Sequence, residues 1–236
     1  MIRKNDPNLP LLLLAADALG DLKDQFVFVG GCAAGLLLTD PAAEDIRATT
    51  DVDVVVELAS LVAYQKLGDK LQQRGFKPDE QSTAICAWRY TEKSTGLQVK
   101  LDVMPTDASV LGFSNRWYPH AIAAAVTVDL RTDLKIRLIS GPCFLATKLE
   151  AFRSRGKHDF LMSHDLEDIL IVVDGRPELP DEMRSADPEL AAFVAAQFQG
   201  LLSDHDFLNA VPGLLRDEGR ESIVTDRMEK ICRRER

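Results

Sequence analysis

The sequence predicts an α/β protein with a mixed β-sheet core and flanking helices over residues 1–139, followed by a helical region over residues 140–236. Three observations carry this. Two short apolar runs rich in strand formers, Phe26–Val29 (FVFV) and Val52–Val56 (VDVVV), read as buried strands. Two later pairs of segments read as hairpins. From Ser140 onward every apolar pattern has the period of a helix.

Leu9–Leu22 has a helical apolar pattern that ends near Gly20. After the first strand come Gly30-Gly31 and a helical stretch, Cys32–Leu38. Thr39–Thr50, with a proline and mixed charge, reads as a loop. Leu58–Arg74 has helical spacing and stops at Gly75. Thr83–Tyr90 and Gln98–Val103 pair as strands around a turn at Lys93–Gly96, and Pro105–Trp117, without a period, reads as a loop. Ala125–Leu130 and Lys135–Ile139 make a second hairpin. Ser140 caps and Pro142 opens the next helix, Phe144–Arg153, followed by Ser163–Val173, Pro188–Leu202 and Glu221–Arg234.

Composition narrows the function classes. Of 236 residues, 46% are hydrophobic and 28% charged, which is ordinary for a globular protein of one large or two modest domains. No apolar run has the length of a membrane span, and residues 1–10 lead into an amphipathic helix rather than a signal peptide. The four cysteines (Cys32, Cys86, Cys143, Cys232) are scattered, so they read as reduced thiols of a cytoplasmic protein and not as a zinc site. A net charge of −9 argues against nucleic-acid binding over the whole surface, though not against a local basic groove.

Asp51 and Asp53 are the feature to explain. Strand alternation puts both on one face, with Val52 and Val54 on the other. Unpaired burial would cost several kcal/mol per ion. A sheet edge, basic partners or a divalent cation would each relieve that cost, and an oxygen-rich acidic site suits Mg²⁺, which brings phosphates with it. A bare D-x-D on a strand is most often solvated. Here Gly30-Gly31 follows a strand and opens a helix, where a phosphate can approach backbone amides. Asp102, in VKLDVMP, adds a third acid on a strand that can lie beside the first. Three acids on neighbouring strands can hold two divalent ions. A P-loop or dinucleotide site is disfavoured, since neither GxxxxGK[ST] nor a GxGxxG after the first strand is present.

Gly30, Gly31, Asp51, Asp53 and Asp102, in that order, resemble the signature of the nucleotidyltransferase superfamily of the DNA polymerase β type. The segment FLATKLEAFRSRGKHDFLMSHDLEDI (Phe144–Ile169) is similar to the K-x-x-A…R-x-K…D-x-x-D segment of AbiEii-like nucleotidyltransferases, among them toxins of the AbiE phage-defence system and the related MenT toxins. The matching positions are Lys148, Ala151, Arg155, Lys157, Asp165 and Asp168. The resemblance implies a nucleotidyltransferase core whose Asp51, Asp53 and Asp102 hold Mg²⁺ or Mn²⁺. It implies that Gly30, Gly31 and Lys148 hold the triphosphate of an NTP, with Arg155, Asp165 and Asp168 in the nucleotide-binding set. The implied acceptor is an RNA 3′ end such as that of tRNA; a protein hydroxyl or a small molecule stays open, and a toxin would have an antitoxin partner. The spacer from Gly31 to Asp51 is longer than in the family, which motivates a second reading: a catalytically inactive nucleotide-binding or interaction module. Taken without the resemblance, Lys148 is a solvent-facing helix lysine, Arg153, Arg155 and Lys157 are a solvated helix end, and Asp165 and Asp168 are acids complementing a helix dipole. Trp88 and Trp117 are core residues before they are base-stacking platforms.

Overall fold

The computed structural model describes residues 5–43, 46–155, 159–215 and 219–233. The chain falls into two compact units: Asp6–Ala33 with Arg47–Ser140, and Met1–Asn5 with Ala34–Ile46 and Gly141–Arg236.

The first unit is built on a seven-stranded mixed sheet. Its strands are β1 (Phe26–Val29), β2 (Asp51–Val56), β3 (Lys77–Pro78), β4 (Ala87–Thr91), β5 (Gln98–Pro105), β6 (Val126–Arg131) and β7 (Leu134–Leu138), in the spatial order β3-β4-β5-β2-β1-β7-β6. β2 is the central strand. It runs antiparallel to β1 and parallel to β5, in a register that sets Asp51 opposite Lys100 and Asp53 opposite Asp102. All four residues of β1 are buried, as a strand covered on both faces must be. In β2, Val52 and Val54 are buried while the aspartates alternating with them are half-buried.

Helix α1 (Leu9–Leu19) packs its Leu12, Ala15, Ala16 and Leu19 face near β2, β5 and β7 and runs into a 3-10 turn at Gly20–Gln25. Asn8, fully buried at its start, donates to Arg47 O at 2.9 Å and accepts from Thr49 N at 2.8 Å, which fixes the chain just before β2. Helix α2 (Gly30–Leu37) follows β1 directly. Helix α3 (Leu61–Gln73) starts at Ser60, whose hydroxyl accepts from Ala63 N. Gly68 of α3 lets Trp88 approach, and Tyr64 Oη donates to Val103 O at 3.2 Å.

Most elements follow the sequence pattern, with informative exceptions. Thr83–Cys86 is a turn rather than strand, and β4 begins only at Ala87. The Pro105–Trp117 segment is not all loop. Pro105 ends β5, and Asp107 caps the one-turn helix α4 (Ala108–Leu111), which Gly112 closes in the left-handed conformation, φ 84°. One turn is too short to show a period. Helix α5 (Tyr118–Ala123) precedes β6.

The second unit is helical: α6 (Gly141–Arg155), α7 (His164–Gly175), α8 (Leu179–Ser185), α9 (Pro188–Leu202), α10 (His205–Leu214) and α11 (Glu221–Arg233). α8 and α10 have no counterpart in the sequence reading. α8 has only seven residues, and α10 contains Pro212, which reads as a breaker. Side-chain caps start α7 at Ser163, α9 at Asp187 and α10 at Asp204.

The segment from Ala34 to Ile46, between β1 and β2 in sequence, belongs to this helical unit. The Gly175 carbonyl accepts from Thr39 N at 2.8 Å and Asp40 N at 3.0 Å. Arg176 donates to Leu37 O, and Arg220 bridges Asp174 and Asp40. A Cβ on Gly175 would lie 2.6 Å from the Leu38 side chain, so glycine lets the segment pack this closely without a side-chain shift. No helix among the described residues is long and apolar enough to cross a membrane.

Candidate active site

The sheet unit gathers the predicted acids. β2 is not an edge strand, so the edge solution for Asp51 and Asp53 is ruled out. A basic partner is present instead. Lys100 of β5 stands on the same face as Asp102 by strand alternation and opposite Asp51 by register. Its Nζ lies 3.1 Å from Asp102 Oδ2 and 3.6 Å from Asp51 Oδ2. The sequence reading missed Lys100. The signal was there: K-L-D on a strand places the lysine beside the third acid.

Gly30 lies beside this cluster. Its φ of +71° suits glycine, and a Cβ there would collide with the Asp53 carboxylate. The first motif glycine therefore admits the second motif acid against the chain. Gly31 is buried behind it at the start of α2.

The environment is electrostatically tense. Burial raises the Asp102 carboxyl above its usual range, Lys100 opposes the shift, and the Asp51 charge adds to it. Burial pulls the Lys100 amine down, but the hydrogen bond to Asp102 and the charges of Asp102 and Asp51 outweigh this, and it titrates above its ordinary value. Cys86 is pushed up to about 11, by burial first and then by the Asp102 charge. Burial also holds the Cys32 thiol protonated, with Asp53, Asp6 and Asp51 acting in the same direction.

Do these residues suit a divalent ion? Their donors are carboxylate oxygens, as Mg²⁺ or Mn²⁺ requires. Asp102 Oδ1 is buried with no hydrogen-bond partner, an orphaned acceptor that a cation would satisfy. The set fits in chemistry. Its present closure is on Lys100, however, and among the described residues no three His, Cys, Asp or Glu side chains converge as a metal-binding group.

The helical unit holds the second predicted set. Lys148 of α6 is not a solvent-facing lysine: its side chain is 14% exposed. Its Nζ lies 3.2 Å from Asp165 Oδ1 and 2.6 Å from Asp168 Oδ2, and Arg155 Nη1 lies 2.8 Å from Asp165 Oδ2. Asp165 and Asp168 stand in the first turns of α7 but are buried, so pairing rather than the helix dipole explains them. Lys157 lies outside the described residues, and Arg153 is half exposed, 3.8 Å from Glu150. Trp88 and Trp117 are buried, which removes both from any stacking role.

Three-dimensional comparison identifies the architecture. No protein-family model matches the chain, and no curated protein is significantly similar to it in sequence. Solved structures do match. An antigenic nucleotidyltransferase-like protein from Paracoccidioides brasiliensis is similar at TM-score 0.53 and 19% identity, over 89% of this chain and 93% of that one. The fold is nucleotidyltransferase-like. JHP933 from Helicobacter pylori is similar at TM-score 0.49 and 14% identity, over 99% of this chain and 94% of that one. At such identity the likeness to the Paracoccidioides protein concerns the nucleotidyltransferase-like backbone; the chemistry rests on the side chains.

Proposed function

We propose that the chain is a divalent-metal-dependent nucleotidyltransferase that moves NMP from an NTP to a hydroxyl acceptor. One observation carries the reading: Asp51, Asp53 and Asp102 project on one face of the two adjacent central strands, beside a glycine against which Asp53 packs, within a nucleotidyltransferase-like fold. Asp51, Asp53 and Asp102 would hold Mg²⁺ or Mn²⁺. When bound, the ion supplies charge neutralisation for the triphosphate and a more acidic acceptor hydroxyl. Asp102, whose burial makes it a stronger base than an ordinary aspartate, takes the proton from that hydroxyl. The amides of Gly30 and Gly31 at the start of α2 orient a phosphate. The resemblance assigns Lys148, Arg155, Asp165 and Asp168 to the nucleotide-binding set, and within the helical unit Asp165 and Asp168 hold Lys148 in position. The resemblance to AbiEii-like and MenT toxins motivates an RNA 3′ end such as that of tRNA as acceptor, and an antitoxin as partner.

The test is incorporation of α-³²P-labelled NTPs, each in turn, with Mg²⁺ or Mn²⁺, into total RNA and total protein. Label in RNA, lost in Asp51→Ala/Asp53→Ala, is the expected result. Label in protein moves the acceptor to a side-chain hydroxyl. NTP binding without label in either supports the second reading, an inactive nucleotide-binding module. Lys100 favours that reading, because it neutralises Asp51 and Asp102 from within the chain.

A further inference from the structure

The acid cluster already contains a cation. The Lys100 ammonium lies within 4 Å of one oxygen from each of Asp51 and Asp102, two of the three acids assigned above to the metal. A unit charge there lowers the potential that would draw in a divalent ion. It also offsets the repulsion between two carboxylates on adjacent central strands. Lys100 is not locked in place. Its side chain is 28% exposed and Asp51 34%, so the ammonium can leave for water on its flexible four-carbon stem. Asp102 presents a second oxygen, Oδ1, that Lys100 leaves unsatisfied. Among the described residues no three metal-binding side chains converge, and Asp51 and Asp102 are gathered on an ammonium instead.

We propose that Lys100 is a tethered counter-ion that competes with the divalent metal for Asp51 and Asp102. It keeps the metal-free sheet folded around its acids and sets how much free metal the site needs. The ammonium is displaced when the ion enters, with no change in covalent bonding. This deepens the metal-dependent reading and rests on it. Lys100 is a positioning and affinity-setting residue, and its removal has opposite effects on metal binding and on metal-free stability.

The experiment is a Mn²⁺ titration followed by loss of the free-ion electron paramagnetic resonance signal. It compares wild type, Lys100→Met and Lys100→Arg, with Asp53→Asn as the variant that must weaken binding. Melting temperatures are measured in chelator and in Mn²⁺. Lys100→Met should bind Mn²⁺ at least about tenfold tighter, because a competing charge is gone. It should melt lower than wild type in chelator and recover in Mn²⁺. Lys100→Arg keeps the charge and should bind no tighter than wild type. Equal affinity in wild type and Lys100→Met overturns the competition while leaving the metal reading standing. Tighter binding by both variants makes the effect one of shape and also overturns it. No binding by any of the four proteins removes the metal reading and the competition together. Should Lys100→Met fail to fold even with Mn²⁺, tighter binding by Lys100→Arg alone overturns the proposal, and weaker or equal binding supports it.

Discussion

Two lysines in this molecule each bridge two aspartates, one in each unit, and the difference between them is burial. Lys148 touches Asp165 and Asp168, whose side chains are 5% and 1% exposed. Lys100 touches Asp51 and Asp102 in a cluster that water reaches. The same three-group motif is closed off from water in the first setting and open to it in the second. Removing a partner from a buried ion pair strands a charge where no water can solvate it. Removing one from the open cluster leaves a charge that water partly reaches, so it should cost less than in the buried cluster.

The comparison breaks most sharply on activity. Asp53→Ala should lower nucleotide transfer by at least about 10³-fold, as loss of a metal-holding carboxylate does, while circular dichroism and the urea midpoint stay near wild type. Wild-type turnover in the variant would remove Asp53 from the site. Asp168→Ala should do the reverse to the fold, costing about 3–5 kcal/mol by urea denaturation as Lys148 loses its closest buried partner; a cost below 1 kcal/mol would show that this cluster is as open as the other. Gly30→Ala should fall between, at about 1–3 kcal/mol, because it meets both a positive φ and the Asp53 carboxylate; its measured transfer should fall with it, and an unperturbed, active variant would mean that Asp53 moves aside freely. Arg155→Met should be the mildest. Its side chain is 73% exposed, so losing its contact with Asp165 should cost less than about 1 kcal/mol, and a larger loss of stability would mark Arg155 as part of the buried cluster.

What the sequence disclosed depended on range. Strands β1 and β2, helix α9 and the Ser163 cap are local patterns of period and capping, and they stand where the residues place them. The D-x-D pair was legible because strand alternation is strict. The nucleotidyltransferase-like architecture was legible from the order of the two glycines and three acids, before any coordinate was known. Lys100 was not, because its meaning depends on a parallel register between strands more than forty residues apart in sequence. Lys148 was misjudged on periodicity alone for a related reason: a helix pattern reports which residues are apolar, not which polar residue has buried partners. The short α4 and the proline-containing α10 fall below what periodicity can show.

The stretch that looked like an insertion, between the two glycines and the two acids, is tied by Gly175, Arg176 and Arg220 to the helical unit. A polypeptide cut after residue 140 would carry Asp51, Asp53 and Asp102 yet leave that stretch without its anchors. The glycine and aspartate signature is therefore not a portable cassette. Domain grafts and split proteins that treat the first 140 residues as self-sufficient should inherit Asp51, Asp53 and Asp102 but lose the tether that orders the chain leading to Asp51, and a split protein should regain that order only when the second fragment is supplied in trans.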